Sequence, residues 1–156
     1  MDNNLKIVRC TKEQVEIITD SIIRLLKNFN ERSGSNFNID RTEIFETTTK
    51  LIGRETFGCY VAFAENKPVG LITIAPCFAI YNGGDFGVIT ELYVDQTVRS
   101  LGIGKLLLDK VFEFAKLNGW TKLEVGAPNK TEWPRTIDFY KKNGFEEKDL
   151  KLRIKL

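Results

Sequence analysis

The stretch Arg99-Ser100-Leu101-Gly102-Ile103-Gly104 is the first part of this chain whose residue types and spacing could do chemistry. It places two glycines where an amphipathic run, Lys105 to Trp120, begins without a helix breaker for four turns. Glycine permits a tight turn between a strand and a helix. A helix start also offers unpaired backbone N–H groups and the positive end of a dipole, which an anion can approach closely where there are no side chains. Neither established phosphate motif is met in full. The dinucleotide fingerprint needs a third glycine where Leu106-Leu107 stands, and a Walker loop needs a hydroxyl after Lys105, which is followed by Leu106. The rest of the reactive inventory is short. There is no histidine, which excludes Ser-His-Asp and Cys-His catalysis and most zinc chemistry. Proton transfer must then use carboxylate, tyrosine, cysteine, lysine or water. Cys10, Cys59 and Cys77 are widely spaced, with no metal-like pairing, and read as reduced core or near-core thiols.

The elements that must position this loop can be read from the pattern around it. A chain of 156 residues, 42% hydrophobic and 28% charged, is expected to be one globular domain with a proper core. Its net charge of +2 argues against a nucleic-acid partner. MDNNLKIVRC lacks the basic start and apolar core of a signal peptide, and the apolar stretch from Leu71 to Ile80 is broken by Pro76 and too short for a bilayer. The expected location is therefore cytoplasmic, without a membrane partner.

Leu5 to Cys10 reads as a first strand, and Thr11 with Gln14 as a capping box before a helix running to about Asn28. NFNERSGSNFNI reads as a loop, and Asp40 with Glu43 caps a second helix. The period then changes to two. Gly58 to Glu65 and Val69 to Ala75 form a hairpin through ENKP, and Tyr81 to Gly87 holds a second turn. Val88 to Val94 is apolar apart from Thr90 and Glu91, as suits a central strand. After the glycine loop and its helix come a strand at Thr121 to Val125 and a helix at Arg135 to Asn143. A half-exposed last strand runs from Leu150 to Leu156. The order β-α-α-β-β-β-α-β-α-β gives an α/β (α+β) domain on a mixed, mostly antiparallel sheet of six to seven strands with about four helices.

Taken in order, ITELYVDQTVRSLGIGKLLLDKVFEFAKLNG, LEVGAPN and FYKKNGF closely resemble the GNAT family of acyl-CoA N-acyltransferases. The element order is similar across essentially the whole chain, the specific motifs across its second half. The resemblance implies that the loop Arg99, Ser100, Leu101, Gly102, Ile103, Gly104, with Lys105 behind it, wraps the pyrophosphate of coenzyme A. Ser100 departs from the family, which often has glycine there. It further implies that Leu92, Tyr93 and Val94 lend backbone groups to the pantetheine arm, as though to another strand. Asn129 matches an asparagine that contacts the cofactor. Tyr140 matches a tyrosine that often serves as general acid to the leaving thiolate; a tyrosine, at about 10, can donate to a thiol near 8.5. The segment between Asn129 and Tyr140 is longer than is common.

The acceptor amine must lose a proton before it attacks. Glu91, a lone charge in an apolar strand where burial would strengthen it as a base, is the first candidate, acting through water. Glu124 is the rival, because some family members place the base on that strand. The expected reaction is direct transfer from acetyl-CoA to a primary amine, of a small molecule or a protein amino group, with no metal. Its oxyanion would meet a backbone N–H of the Glu91–Val94 strand. A non-catalytic acyl-CoA-binding module is the alternative, and the resemblance leaves a homodimer open. Phe29, Phe37, Phe78, Tyr81 and Phe86 are candidates to line the acceptor wall.

Overall fold

A computed structural model describes residues 4–148 and 152–156. Strand β1 (Leu5–Arg9) leads through the Thr11–Gln14 capping box, formed as expected, into α1 (Val15–Ser33). This helix outruns its expected end at Asn28, because polar Asn-Phe-Asn does not break a helix. It stops at Gly34, whose φ of 60° supplies the left-handed cap. Helix α2 (Arg41–Ile52) starts at Asp40, whose side chain accepts the Glu43 N–H at 3.2 Å.

Strands β2 (Gly58–Ala64) and β3 (Lys67–Ala79) meet at Glu65-Asn66, both at positive φ, as a two-residue hairpin turn of primed type requires. β3 continues four residues beyond its expected end, through Pro76. β2 pairs no further than Ile74, so Pro76 sits where one edge of β3 needs no donor. β4 (Gly84–Val94) begins four residues early to match it. Helix α3 (Ile103–Leu117), the short strand β5 (Leu123–Val125) and α4 (Pro134–Lys142) complete the described elements. The α/β class holds with five strands and four α-helices among the described residues. Of the expected last strand, 150 and 151 lie outside the described residues, and 152–156 are exposed and form no strand.

The sheet order is β1-β2-β3-β4-β5, antiparallel except for the parallel β4–β5 pair. Helix α3 covers one face, where Leu107, Leu108, Val111 and Phe114 pack on Ile72, Ile74 and Ile89. Helix α1 covers the other, where Ile18 packs on Val61 and Leu71. Where β4 and β5 pair, Gly87 leaves no room for a side chain. A Cβ there would lie 2.6 Å from Leu123 and 2.8 Å from both Ile74 and Trp120. Gly87→Ala is therefore expected to cost roughly 1–3 kcal/mol by overpacking, read as a fall in Tm of about 3–10 °C. An unchanged Tm would show that these three side chains move aside freely.

Two irregularities in this sheet position everything that follows. β4 pairs with β5 only from Gly87 to Ile89. Beyond Val125 the chain turns away as Gly126-Ala127-Pro128, and proline has no N–H to continue a ladder. Among the described residues, the edge of β4 from Thr90 to Val94 is thereby left without a strand partner on that side. The second irregularity is a bulge. Ile74 pairs with Ile89 but Thr73 with Glu91, so Thr90 is an extra residue in β4.

Candidate active site

The open edge of β4 forms one wall of a cavity of about 690 Å³. The rest of the lining comes from the end of α1, the start of α3, the chain after β5, and α4. The first turn of α3 carries no side-chain cap and no acidic residue, so its leading N–H groups are available and its dipole is not neutralised. Gly102 is its N-cap at φ 80°, with nothing within 4 Å of a Cβ; it is needed for backbone conformation. Gly104 is needed for space, since a Cβ there would touch the Phe139 ring at 3.3 Å. Ser100 stands at φ 69° without being glycine, and its hydroxyl accepts from Arg135 Nη2 at 3.0 Å. Arg99 folds back to donate from Nε to the Val94 carbonyl at 3.1 Å, tying the loop to the end of β4. Lys105 pairs with Asp109 one turn on. Arg99, Lys105, Arg135 and Lys142 thus give this end of the cavity a surplus of positive charge against Asp138.

Tyr140 lies on the α4 wall, 6% exposed, with its ring between Phe139 and Phe145 at centroid distances of 5.3 Å each. Burial pushes its hydroxyl well above the ordinary tyrosine value. Among the described residues nothing hydrogen-bonds that hydroxyl, and the side chain borders the cavity.

Glu91 is half-buried, not fully buried as its place in an apolar strand suggests. The reason is the bulge. Ile89 lies in the core beneath α3, and Leu92 packs on that same core. Glu91 pairs with Thr73 and Tyr93 with Leu71, on the α1 side. The extra residue turns Glu91 out of the core and toward the cavity. Its Oε2 accepts from Thr90 Oγ1 at 2.7 Å and from Thr73 Oγ1.

The cavity therefore brings together Glu91, Leu92, Tyr93, Val94, Arg99, Ser100, Gly102, Ile103, Gly104, Lys105 and Tyr140. Three residues singled out from the sequence stand outside it. Leu101 points to solvent, 62% exposed. Glu124 is exposed midway along the β4–β5 pair, opposite Val88, where Asn82 Nδ2 approaches it at 3.5 Å. The Asn129 side chain accepts the Thr131 N–H within its own loop. Of the five candidate wall aromatics only Phe29 lines the cavity. Phe37 packs against it, Phe86 is in the core, and Phe78 and Tyr81 project from the β3–β4 hairpin into solvent.

Residues not foreseen take their place. Trp133 packs on Phe29 at 5.1 Å, lies under the Arg32 guanidinium at 4.4 Å, and donates from Nε1 to Ser33 Oγ at 2.5 Å. This clasp joins the end of α1 to the start of α4 across the cavity. A tryptophan just before a helix-starting proline was the available signal.

An unpartnered strand edge beside an uncapped, positively charged helix start can hold an extended chain that ends in phosphates. Comparison with known proteins places the chain in a family: residues 22–145 match the acetyltransferase (GNAT) family. The chain belongs to the acetyltransferase (GNAT) family. Among curated relatives of this GNAT protein, an uncharacterized N-acetyltransferase of Methanocaldococcus jannaschii is 38% identical over 104 residues, which make up 64% of this chain and 44% of that protein. The chain thus spans less than half the length of that relative. An aminoglycoside acetyltransferase from an uncultured soil metagenomic sample, solved with sisomicin, is 27% identical with a TM-score of 0.77, over 99% of this chain and 98% of that one. A predicted acetyltransferase from Clostridium acetobutylicum, solved with acetyl-CoA, shares the fold at 23% identity and a TM-score of 0.77, over 97% and 96% of the two chains. Among the described residues of this GNAT chain no helix is long and apolar enough to cross a membrane.

Proposed function

We propose that this chain transfers an acetyl group from acetyl-CoA to a primary amine by direct attack. The observation that carries the reading is the single cavity in which an open strand edge, an uncapped helix start and two proton-handling side chains, Glu91 and Tyr140, meet. The acyl donor would supply an activated thioester. Backbone N–H groups of 103–105 and the side chains of Arg99 and Arg135 would bind its phosphates. The free backbone of Thr90–Val94 would hold its extended arm, and an N–H of that edge would receive the developing oxyanion.

On the α1 side, Glu91 takes the proton of the incoming amine, directly or through a water. Tyr140, on the opposite helix, donates to the departing sulfur. The clasp of Phe29, Arg32 and Trp133 forms one wall of the cavity. Because a relative at 27% identity is an aminoglycoside acetyltransferase, amino sugars belong in the acceptor panel beside simple amines and peptides.

The test has two parts. Thiol release from acetyl-CoA, measured over that panel, is expected to depend on the amine; an amine-independent trace would remove the transferase reading. CoA at a hundredfold excess over its Kd should raise Tm by about 5–10 °C, because it stabilises only the folded loop, by about 2.7 kcal/mol. Gly102→Val, which forces a β-branched residue into the left-handed region, should fold and lose most of that rise. An equal rise in both proteins would take the loop out of the site.

A further inference from the structure

We propose that Thr73 on β3 is a positioning residue that fixes the Glu91 carboxylate for its role as base. The proposal rests on Glu91 acting as proposed above. Thr73 is 2% exposed, does not line the cavity, and stands directly across from Glu91 at the bulge. Its single hydroxyl makes contacts of two kinds with the same residue. It accepts the backbone N–H of Glu91 at 3.0 Å and donates to Glu91 Oε2.

The extra residue of the bulge adds a second hydroxyl. Thr90 Oγ1 lies 2.7 Å from Oε2 and 2.7 Å from Thr73 Oγ1. The two hydroxyls and Oε2 thus form one hydrogen-bonded cluster around a single carboxylate oxygen. Oε1 takes no hydrogen bond among the described residues, and Glu91 is one of the residues that line the cavity. An unrestrained glutamate has three freely rotating bonds and would spend most of its time in other rotamers. With Oε2 tethered and the backbone N–H held by the same group, the carboxylate is fixed in one arrangement before any substrate arrives.

The surroundings leave that arrangement undisturbed from behind. Cys59 on β2 stands next to Thr73 in the same cross-strand row and is buried; contact with Cys10 and burial push its thiol up, so it stays neutral. The other charged or titratable side chains lining the cavity are Arg32 of α1, Arg99 and Lys105 near the start of α3, and Arg135, Asp138, Tyr140 and Lys142 of α4, besides Tyr93 on β4.

The experiment compares Thr73→Val, Thr73→Ser and Glu91→Gln, singly and as the double variant of Thr73→Val with Glu91→Gln, on one amine that the wild type acetylates. Thr73→Val should lower kcat about tenfold, the size of one lost charge-assisted hydrogen bond, with KM for acetyl-CoA nearly unchanged. Thr73→Ser restores the hydroxyl and should recover most of the rate. In the Glu91→Gln background Thr73→Val should cost little more, because there is no longer a carboxylate to fix. An unchanged CoA-induced rise in Tm reports that each variant is folded. If Glu91→Gln is slow while Thr73→Val keeps wild-type kcat, or if Thr73→Val costs the same tenfold with and without Glu91, the positioning role is overturned and the base stands. If Glu91→Gln itself has no effect, the base reading fails and the positioning role with it.

Discussion

Tyr140→Phe is expected to lower kcat by roughly tenfold to a thousandfold while leaving CoA affinity nearly unchanged. The substitution keeps the ring between Phe139 and Phe145 and removes only the hydroxyl, so a loss of rate cannot be charged to repacking. Burial holds that hydroxyl well above the ordinary tyrosine value. Tyr140 therefore stays protonated through the neutral range, and its ionisation should place no alkaline limb on kcat below about pH 10. Steady-state kinetics on a true acceptor measures both effects. If kcat is unaltered while chemistry limits the rate, Tyr140 is a packing residue beneath α3.

The second large effect concerns the base. Glu91→Gln should reduce kcat/KM at neutral pH by about a hundredfold, and part of the rate should return at high pH, where the amine is already free. Glu124→Gln should change it by no more than about twofold, as for a surface residue away from the reacting groups. Glu124 is exposed and does not border the cavity. A pH–rate profile of both variants separates the possibilities. The reverse ranking would move the base to β5. If neither variant is slow, the amine arrives deprotonated or yields its proton to solvent, and the site works by positioning and oxyanion stabilisation alone.

The sequence showed most of the frame and only part of the site. Helices α1 and α3 announced themselves by periodicity, and the Thr11 and Asp40 caps by residue type, because these signals are local. The glycine loop was legible for the same reason, and the family's motifs pointed to Tyr140. What was not legible depends on contacts distant in sequence. Trp133 meets Ser33 across 100 positions, and no local pattern carries that. Thr73, one polar residue in GLITIAP, was not singled out from the sequence, and its partner is found only with the β3–β4 register. Counting down from the hairpin turn would have given that register wrongly, because Thr90 adds a residue that alternation does not reveal. Glu124 and Asn129 were implied by the resemblance alone; the pairing of Glu124 with Val88 and the turn at Asn129–Thr131 place them outside the cavity.

That extra residue makes β4 a strand with two phases. From Gly84 to Ile89 odd and even positions are assigned to the two faces one way, and from Glu91 onward the assignment is exchanged. A one-residue deletion near Thr90 would repair the hydrogen-bond ladder and restore an unbroken alternation. Ile74–Ile89 and Thr73–Glu91 are already consecutive rungs, so every side chain would keep its present face. Drawing Thr90 into the ladder without a deletion would instead send either Glu91, Leu92 and Tyr93 or everything before Ile89 to the wrong side. What such a deletion would remove is the Thr90 hydroxyl, which bonds Glu91 Oε2 at 2.7 Å, and the local bend of β4. With Thr90 present, the bulge itself, more than the identity of any residue between Ile89 and Leu92, is what lets the carboxylate and the core face opposite ways.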